Sequence, residues 1–298
     1  MTAPKVAIIV RTKDRPHFLH RAIRSIQSQS FAEWECVIVN DGGDLQQVER
    51  VVASAATPND PRIHILSHDE SRGRWKSANA GVLGTTAPLL VLHDDDDSWH
   101  PEFLEHATSY LSQHAERDGV VARTEIVWET RDGDSFSVER RELFQGHLQD
   151  LLLTDALLFN RFVPIGFLYR RTLHAELGLY DDTLPVIGDW AFNLRVLARG
   201  PLEYLSGHAL AYWHQRSDTS GAESNSVTGA GSDHDRFDAR IRDSELRKYA
   251  ENDGLGLVLY LTKFIDQRFV DVEAGIRHEI VEASFWNRLK QWVKRKVN

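Results

Sequence analysis

The sequence LLVLHDDDDSW occupies residues 89–99 and joins four apolar residues directly to a histidine and four consecutive aspartates. A continuous apolar run is typical of a strand that is buried on both faces of a parallel sheet. Most acidic runs are solvated surface, but this one follows a predicted buried strand, so packing would hold its repelling carboxylates in place. A hard divalent cation would offset that repulsion, because such ions prefer oxygen ligands. This stretch alone is equally consistent with a metal site and with a polar turn.

Similar apolar runs precede this stretch at residues 6–10 and 36–39, and each is followed by apolar residues at helical spacing. Ile63, Ile65 and Leu66 fit a third strand. Strands that alternate with helices predict βαβ units and a largely parallel sheet, which is the α/β class. Ligands of such sheets bind beyond the carboxyl ends of the strands. Asp41 and the acidic run at residues 94–97 both fall at that edge.

The composition is that of a globular protein of 298 residues, with 42% hydrophobic and 27% charged residues. No apolar run reaches the ~18 residues of a membrane span. The N-terminal run is shorter than the core of a secretory signal, which has about 7–15 residues. The single cysteine, Cys36, excludes an internal disulfide framework and a zinc cluster built on cysteines. We therefore expect a cytoplasmic protein in a reducing compartment.

The net charge of −9 argues against a protein that coats nucleic acid, because binding phosphates requires clustered cations. Residues 284–298 differ from this average, since they hold five basic residues and no acid. Large apolar residues, including Trp286 and Trp292, recur there on one helical face. Such a helix is typical of binding to an anionic membrane surface. A terminal helix packed on the core is the alternative, and peripheral binding at the inner face of the cell membrane is the expectation.

Four motifs, in their order and spacing, resemble those of the family 2 inverting glycosyltransferases over roughly residues 5–215. They are the first strand and its turn (residues 6–15), the turn Asn40-Asp41-Gly42-Gly43, Gly73 with Asn79-Ala80-Gly81, and the acidic element at residues 94–99. The resemblance implies a GT-A fold, a Rossmann-like mixed sheet flanked by helices. That domain would span residues 1–235, and a C-terminal helical extension would span residues 236–298.

The resemblance also implies which residues bind a nucleotide-sugar donor. They are Thr12, Arg15, Asp41, Lys76, Asn79, Asp94 and Asp95. Asp41 would accept a hydrogen bond from the nucleotide base, and Asp94 would lie near the ribose. The cofactor would be Mn²⁺ or Mg²⁺, bound by Asp96 and by His214.

Two departures from the family pattern accompany these assignments. The arginine that the family often has before Asn79 is Ala78 here, so Arg72, Arg74 and Lys76 are the candidate cations for the diphosphate. The family's acidic pair before a helix corresponds to residues 188–189, where glycine replaces the first acid.

The second acid of that pair is Asp189, which the resemblance implies is the catalytic base. A carboxylate within hydrogen-bond reach can take the proton of an acceptor hydroxyl as it attacks the anomeric carbon. A metal ion would stabilise the leaving nucleoside diphosphate. A helix N-cap is the alternative role for Asp189.

The sequence therefore predicts a metal-dependent inverting glycosyltransferase. It would move a sugar from a nucleotide-diphosphate donor to a hydroxyl of a glycan or lipid-linked glycan, in bacterial surface polysaccharide synthesis of the O-antigen or capsule type. A sugar-phosphate nucleotidyltransferase is one alternative, although residues 11–15 supply cations without the glycines of a phosphate loop. A non-catalytic module that binds glycan or membrane is the other.

Overall fold

The computed structural model describes residues 3–55, 57–132, 135–205, 207–216 and 231–297. Its strands are β1 (Val6–Thr12), β2 (Trp34–Asp41), β3 (Ile63–His68), β4 (Leu89–Asp94), β5 (Ser98–Trp99), β6 (Gly119–Val121), β7 (Thr124–Asp132), β8 (Ser135–Leu143), β9 (Asp150–Leu151), β10 (Phe167–Arg170), β11 (Leu202–Glu203) and β12 (Ala211–Gln215). Its α-helices are α1 (Pro16–Gln27), α2 (Leu45–Ala53), α3 (Arg74–Leu83), α4 (Phe103–Gln113), α5 (Leu153–Ala156), α6 (Thr172–Leu177), α7 (Gly188–Leu197), α8 (Gly231–Asp253) and α9 (Gly256–Val297). The chain divides into two compact units, Met1–Asp238 and Ala239–Asn298.

The central sheet of the first unit has six strands in the order β3-β2-β1-β4-β10-β6. β1 pairs in parallel with β2 and β4, and β2 pairs in parallel with β3. β10 is antiparallel to both β4 and β6. All residues of β1 are buried, which explains why its sequence is a continuous apolar run rather than an alternating one. The predicted mixed sheet flanked by helices is confirmed.

Alternate side chains of β1 enter two hydrophobic cores, one on each face of the sheet. Val6, Ile8 and Val10 pack with apolar residues of α1 and α4, whereas Ala7 and Ile9 pack with those of α3 and α7. The contact with α3 is close, because a Cβ added to Gly81 would lie 2.4 Å from Cγ2 of Ile9. The glycine of the Asn-x-Gly motif therefore lets the helix approach the strand.

A second sheet, in the order β5-β12-β7-β8, continues from the first through the acidic run. β12 pairs antiparallel with β5 and parallel with β7. Because residues 95–97 connect β4 of one sheet to β5 of the other, the acidic run lies where the two sheets meet. β7 pairs antiparallel with β8, and the hairpin turn that the sequence Asp132-Gly133-Asp134 predicts between them lies partly outside the described residues.

The second unit contains most of α8 and all of α9, a helix of 42 residues. None of the described helices combines the length and the apolar character that crossing a bilayer would require. Most side chains between residue 285 and the C-terminus lie outside the described part, so the predicted amphipathic face of residues 284–298 is described mainly at Trp286.

Candidate active site

The acidic run faces the turn that follows β1, because β1 and β4 run parallel with Arg11 paired to Asp94 in register. The guanidinium of Arg11 forms an ion pair with Asp94. Asp95 accepts a hydrogen bond of 2.8 Å from Oγ1 of Thr12 and one of 2.7 Å from Nη1 of Arg15. The carboxyl ends of two parallel strands therefore bring the predicted donor residues Thr12, Arg15, Asp94 and Asp95 together.

Asp96 lies between two arginines that come from distant parts of the chain. Its Oδ2 accepts hydrogen bonds from Nη2 of Arg15 at 2.8 Å and from Nη2 of Arg216 at 2.6 Å. Glu129 of β7 joins the same network, since it pairs with Arg216 at 3.0 Å and with Arg21 of α1 at 2.8 Å. Sequence reasoning missed Arg21, Glu129 and Arg216, because none of them belongs to a motif and their partners are remote in sequence.

His214 of β12 lies in the same buried network rather than alone. Its Nδ1 lies 2.8 Å from Oε2 of Glu129, and its Nε2 lies 2.8 Å from Oγ of Ser98. Its main-chain N–H donates a hydrogen bond of 3.0 Å to Oδ1 of Asp97. Both ring nitrogens thus have protein partners, so the predicted metal ligation by His214 requires one of these contacts to be exchanged.

The pKa values within the acidic run differ, because the neighbouring arginines compensate its carboxylates to different extents. Burial raises the pKa of Asp95 to about 7, more than Arg15 lowers it, and repulsion from Asp96 contributes to the increase. Burial and the same neighbouring carboxylates also raise the pKa of Asp97. Asp96 is the exception, because Arg15 and Arg216 lower its pKa in spite of burial. The run therefore holds more carboxylate than its arginines neutralise.

A pocket of about 190 Å³ opens at this edge of the sheet. The residues that line it are Arg11, Thr12, Lys13, Arg15, Asp41, Arg74, Ser77, Asp94, Asp95 and Asp96. Six of the predicted site residues are in this set, and its four basic residues suit the phosphates of a nucleotide. Lys76 and Asn79 are not among the lining residues.

Asp41, at the end of β2, fixes the loop that precedes α3. Its carboxylate accepts hydrogen bonds from Oγ of Ser71 at 2.8 Å and from the main-chain N–H groups of Arg72 and Gly73 at 2.7 and 3.0 Å. Although burial acts in the opposite direction, these donors lower the pKa of Asp41 to about 2. Asp41 is therefore ionised over the working pH range, and the predicted hydrogen bond from a nucleotide base would add to these or replace one of them.

The rotational orientation of α3 about its axis determines which nearby basic side chain reaches the pocket. Trp75, Ala78 and Val82 of this helix enter the core, so Lys76 projects to the exposed side. Arg74 lines the pocket in its place. The i, i+3, i+7 spacing of the three core residues was the signal in the sequence that would have separated Arg74 from Lys76.

Asn79 is turned away from the pocket and joins two segments of the chain. Its Nδ2 donates a hydrogen bond of 2.9 Å to the carbonyl oxygen of Tyr180, and its Oδ1 accepts one of 3.0 Å from the N–H of Tyr180. This pair connects α3 to the segment that precedes α7. The described contacts of Asn79 are thus structural, and its predicted contact with the donor stays a prediction.

Asp189 lies in the first turn of α7, close to the arginines of the pocket. Ile187 is the N-cap residue of this helix and no side chain caps it, so Asp189 is not the N-cap. Its Oδ2 accepts a hydrogen bond of 2.9 Å from Nδ2 of Asn160. Burial raises the pKa of Asp189, and the nearby charges of Arg74 and Arg11 oppose the increase. The predicted base therefore interacts electrostatically with two residues that line the pocket.

The donor set of this pocket fits Mg²⁺ or Mn²⁺. These ions are commonly held by one or two carboxylates together with phosphate oxygens of a substrate. Among the described residues, no group of three His, Cys, Asp or Glu side chains that includes the acidic run has its ligand atoms within 4.8 Å of one another. His100, Glu102 and His208 do meet this condition. Asp94 and Asp96 would thus contribute part of a coordination shell, and the excess carboxylate charge would be compensated by the cation.

Residues 7–178 match the family model described as Glycosyl transferase family 2. The chain belongs to glycosyl transferase family 2. The family and the glycosyltransferase activity that the motifs predicted are thereby confirmed. The match ends before Asp189 and His214, so their roles rest on the position of each residue in the site.

Two relatives carry the same kind of name. The glycosyltransferase is 32% identical over 192 residues to the uncharacterized glycosyltransferase YwdF of Bacillus subtilis, which covers 64% of this chain and 67% of YwdF. It is 27% identical over 209 residues to a PGL/p-HBAD biosynthesis glycosyltransferase of Mycobacterium tuberculosis, with 68% of this chain and 73% of that protein covered.

Solved structures share the fold at low identity. TarS 1-349 of S. aureus in complex with UDP has a TM-score of 0.56 at 19% identity, over 70% of this chain and 60% of that one. The mannosyltransferase PcManGT of Pyrobaculum calidifontis, in complex with GDP-Man and Mn²⁺, has a TM-score of 0.50 at 17% identity, over 71% and 57%. The glycosyltransferase therefore has the predicted GT-A fold, and it spans less than two thirds of each of these solved chains.

The glycine that replaces the first acid of the family's pair has a steric explanation. A Cβ added to Gly188 would lie 2.6 Å from Cε2 of Trp75. Trp75 stacks on Tyr180 with ring centroids 5.3 Å apart, and the guanidinium carbon of Arg11 lies 4.9 Å from the indole centroid. In this glycosyltransferase the space of the missing acid is thus occupied by an indole that supports Arg11.

Gly188→Ala should destabilise the glycosyltransferase by about 1–3 kcal/mol, because the added methyl overlaps an indole that is packed on both sides. Urea unfolding would measure the free energy of unfolding. Gly200→Ala is the matched control, since a Cβ at Gly200 meets no atom within 4 Å. Equal stability of the two variants would contradict the steric explanation.

Proposed function

We propose that this glycosyltransferase moves a sugar from a nucleoside diphosphate donor to a glycan hydroxyl, with inversion, a divalent cation and Asp189 as base. The observation that carries the proposal is the pocket at the end of β1 and β4. There Asp94 and Asp96 lie beside basic residues of the pocket, and Asp189 interacts electrostatically with two of them, Arg11 and Arg74. The pocket thus holds groups that a donor and a cation require, and Asp189, the group for the acceptor, lies close enough to interact with its arginines.

The donor assignment rests on charge. A diphosphate carries negative charge that Arg74 would neutralise. Arg11 and Arg15 would join it once a cation compensates the carboxylates with which they pair. Guanidinium groups bind phosphate oxygens through paired hydrogen bonds. The solved neighbours were determined in complex with UDP, UDP-GlcNAc and GDP-Man. These ligands support a nucleotide sugar as the class of donor.

Other residues of this chain would bind the cation and activate the acceptor hydroxyl. Asp96, together with Asp94, would hold Mg²⁺ or Mn²⁺, and the bound cation would stabilise negative charge on the leaving diphosphate. Asn160 donates to Oδ2 of Asp189, and the main-chain N–H of Trp190 also donates to this carboxyl group. These hydrogen bonds would orient the carboxylate as it takes the proton of the acceptor hydroxyl. A single base that activates the acceptor opposite the leaving group produces an in-line displacement with inversion at the anomeric carbon.

A panel of nucleotide sugars tests the donor and the cation together. A donor at 100 times its dissociation constant should stabilise the protein by about 2.7 kcal/mol, which corresponds to a thermal shift of roughly 5 °C or more. We expect this shift with a sugar nucleotide plus Mn²⁺ and a much smaller one with either alone. Pyrophosphate release from a nucleoside triphosphate would favour a nucleotidyltransferase, and no shift with any donor would favour a non-catalytic module.

The rate of transfer should rise with pH through the raised pKa of Asp189. A carboxyl must be ionised to accept a proton, so kcat/KM should fall tenfold per pH unit below that pKa, which lies above the usual ~3.9 of aspartate. Arg74→Gln removes a charge that favours the carboxylate, and it should move this acid limb to higher pH. Lys76→Gln is the control, because Lys76 is an exposed cation that does not line the pocket. An unmoved limb in Arg74→Gln would contradict the assignment.

We also propose that residues 284–298 bind an anionic membrane surface, which would suit a lipid-linked acceptor and surface polysaccharide synthesis. The support is the local charge of five basic residues without an acid, together with the exposure of Trp286. Each lysine or arginine near an anionic surface contributes about 1 kcal/mol of binding free energy. Residues 284–298 would therefore bind the membrane surface mainly by electrostatic attraction, with tryptophan at the boundary between lipid and water.

Substituting glutamine for Lys294, Arg295 and Lys296 should weaken binding to vesicles that contain phosphatidylserine by about 100-fold, which corresponds to three such charges. Cosedimentation would measure it, with phosphatidylcholine vesicles and high salt as controls. Deleting residues 284–298 should abolish binding without unfolding the protein. Unchanged vesicle binding, or loss of folding on deletion, would support a terminal helix packed on the core.

A further inference from the structure

An eleven-residue repeat of apolar residues runs along α9. The first, fourth and eighth positions of the repeat form a set that we name the α9 stripe: Val258, Leu261, Ile265, Phe269, Val272, Ile276, Ile280 and Ala283. Eleven residues in three turns give about 3.67 residues per turn, close to the 3.6 of an α-helix. The stripe therefore stays on one side of the helix instead of winding around it.

The large side chains of the α9 stripe are solvent-exposed in the chain by itself. The exposed fractions of six of them range from 43% at Leu261 to 72% at Phe269, whereas Val258 is half-buried. Exposed apolar patches of this extent mark interaction sites in folded proteins. A helix in a protein gains most of its stability from packing of its apolar face. The length of the stripe thus implies a partner of comparable length.

The charges beside the stripe argue against an anionic surface as that partner. Residues 256–283 contain five acids and three bases, the reverse of the balance in residues 284–298. Several of these charges are paired along the helix itself, as in Arg277–Glu273 at 2.6 Å and Lys263–Asp266 at 3.7 Å. Mixed charges with internal pairs commonly flank the apolar seam of a coiled coil.

We propose that the α9 stripe is the surface through which two copies of this chain associate as a two-helix coiled coil. A partner must present apolar residues with the same eleven-residue period to match the stripe along its length, and a second α9 does so by identity of sequence. A two-fold dimer uses the same surface on both subunits. The eleven-residue period implies a slightly right-handed supercoil.

Sedimentation equilibrium of the full chain without lipid tests the proposal. We expect a mass of twice 34.0 kDa that falls to the monomer value on dilution. Ile276→Asp should raise the dissociation constant at least about 100-fold, because each dimer would bury two unpaired carboxylates. Ala274→Asp is the matched control. It adds the same charge at an exposed position roughly 160° from Ile276 around the helix. The dissociation constant of the dimer should then stay within a few-fold of the wild-type value.

Three outcomes would overturn the proposal. They are a wild-type chain that stays monomeric at the highest concentration, equal effects of Ile276→Asp and Ala274→Asp, and binding to vesicles by a monomer that Ile276→Asp abolishes. Far-UV circular dichroism would show whether a variant keeps its helices. Ile265→Asp provides a second position on the stripe. The dilution series of the wild-type chain keeps the proposal falsifiable even if both variants fail to fold.

Discussion

Asp189→Asn should lower the turnover of sugar transfer by about 10²–10⁴-fold, the range that general base catalysis contributes. The substitution keeps the size of the side chain and an oxygen for the hydrogen bond from Asn160, but it removes the basic carboxylate. Donor affinity should change only a few-fold, since Asp189 does not line the pocket of the donor. Steady-state kinetics would measure turnover, and calorimetry would measure the dissociation constant of the donor.

Asp182→Asn is the control for this prediction, because it removes an exposed carboxylate outside the pocket. Where no acceptor is supplied, donor hydrolysis provides a second readout of the same base. Turnover within a few-fold of wild type in Asp189→Asn would contradict the role of Asp189. A large loss of donor affinity at unchanged turnover would instead place Asp189 in donor binding.

Asp96→Asn should remove the dependence of transfer on Mn²⁺ and lower transfer by at least 10²-fold. It removes the negative charge that Asp96 supplies to the cation, and it leaves Arg15 and Arg216 without their shared partner. Breaking a buried ion pair by removing one partner costs about 3–5 kcal/mol. We therefore expect a lower free energy of unfolding together with the loss of Mn²⁺ binding, measured by urea unfolding and by calorimetry.

The neighbouring Asp95 offers a matched comparison for the stability part of this prediction. Its pKa is raised to about 7, so at neutral pH much of its charge is already absent. Asp95→Asn should therefore cost less stability at pH 7 than Asp96→Asn does. The difference should grow between about pH 4 and about pH 7, where the unfolded chain has lost the proton of Asp95 and the folded protein keeps it, and it should level off at higher pH. Equal costs at pH 7, or Mn²⁺-dependent transfer that survives in Asp96→Asn, would contradict the roles given to these residues.

The pocket residues at the ends of β1, β2 and β4 could be predicted, because in the sequence each of them directly follows the apolar residues that form its strand. β1, β2 and β4 are continuous apolar runs, and Thr12, Asp41 and Asp94 occupy their final positions. Parallel strands end at a common edge, so local patterns were enough to bring these residues to one pocket. Asp189 was assigned from the family resemblance of a short motif, which lies at the start of a helix, and its role stays a prediction.

The network of ion pairs around Asp96 and Glu129 could not be predicted from local patterns. Arg216 contacts Asp96 across 120 positions of sequence, and Arg21 contacts Glu129 across 108. Whether such residues meet depends on how β7 and β12 pack beside the acidic run, which no short window of sequence records. The inward turn of Asn79 toward Tyr180 is of the same kind, because it depends on where the segment before α7 lies.

The sequence by itself determined the family, the α/β class and the position of the acidic run at the end of a buried strand. It could do so because hydrophobic periodicity and short motifs are properties of neighbouring residues. Tertiary structure alone decided that Arg15 and Arg216 compensate Asp96, that His214 bonds to Ser98 and Glu129, and that Gly188 makes room for Trp75. These contacts join residues that are distant in sequence, and only the packing of the two sheets and their helices places them within a few ångströms.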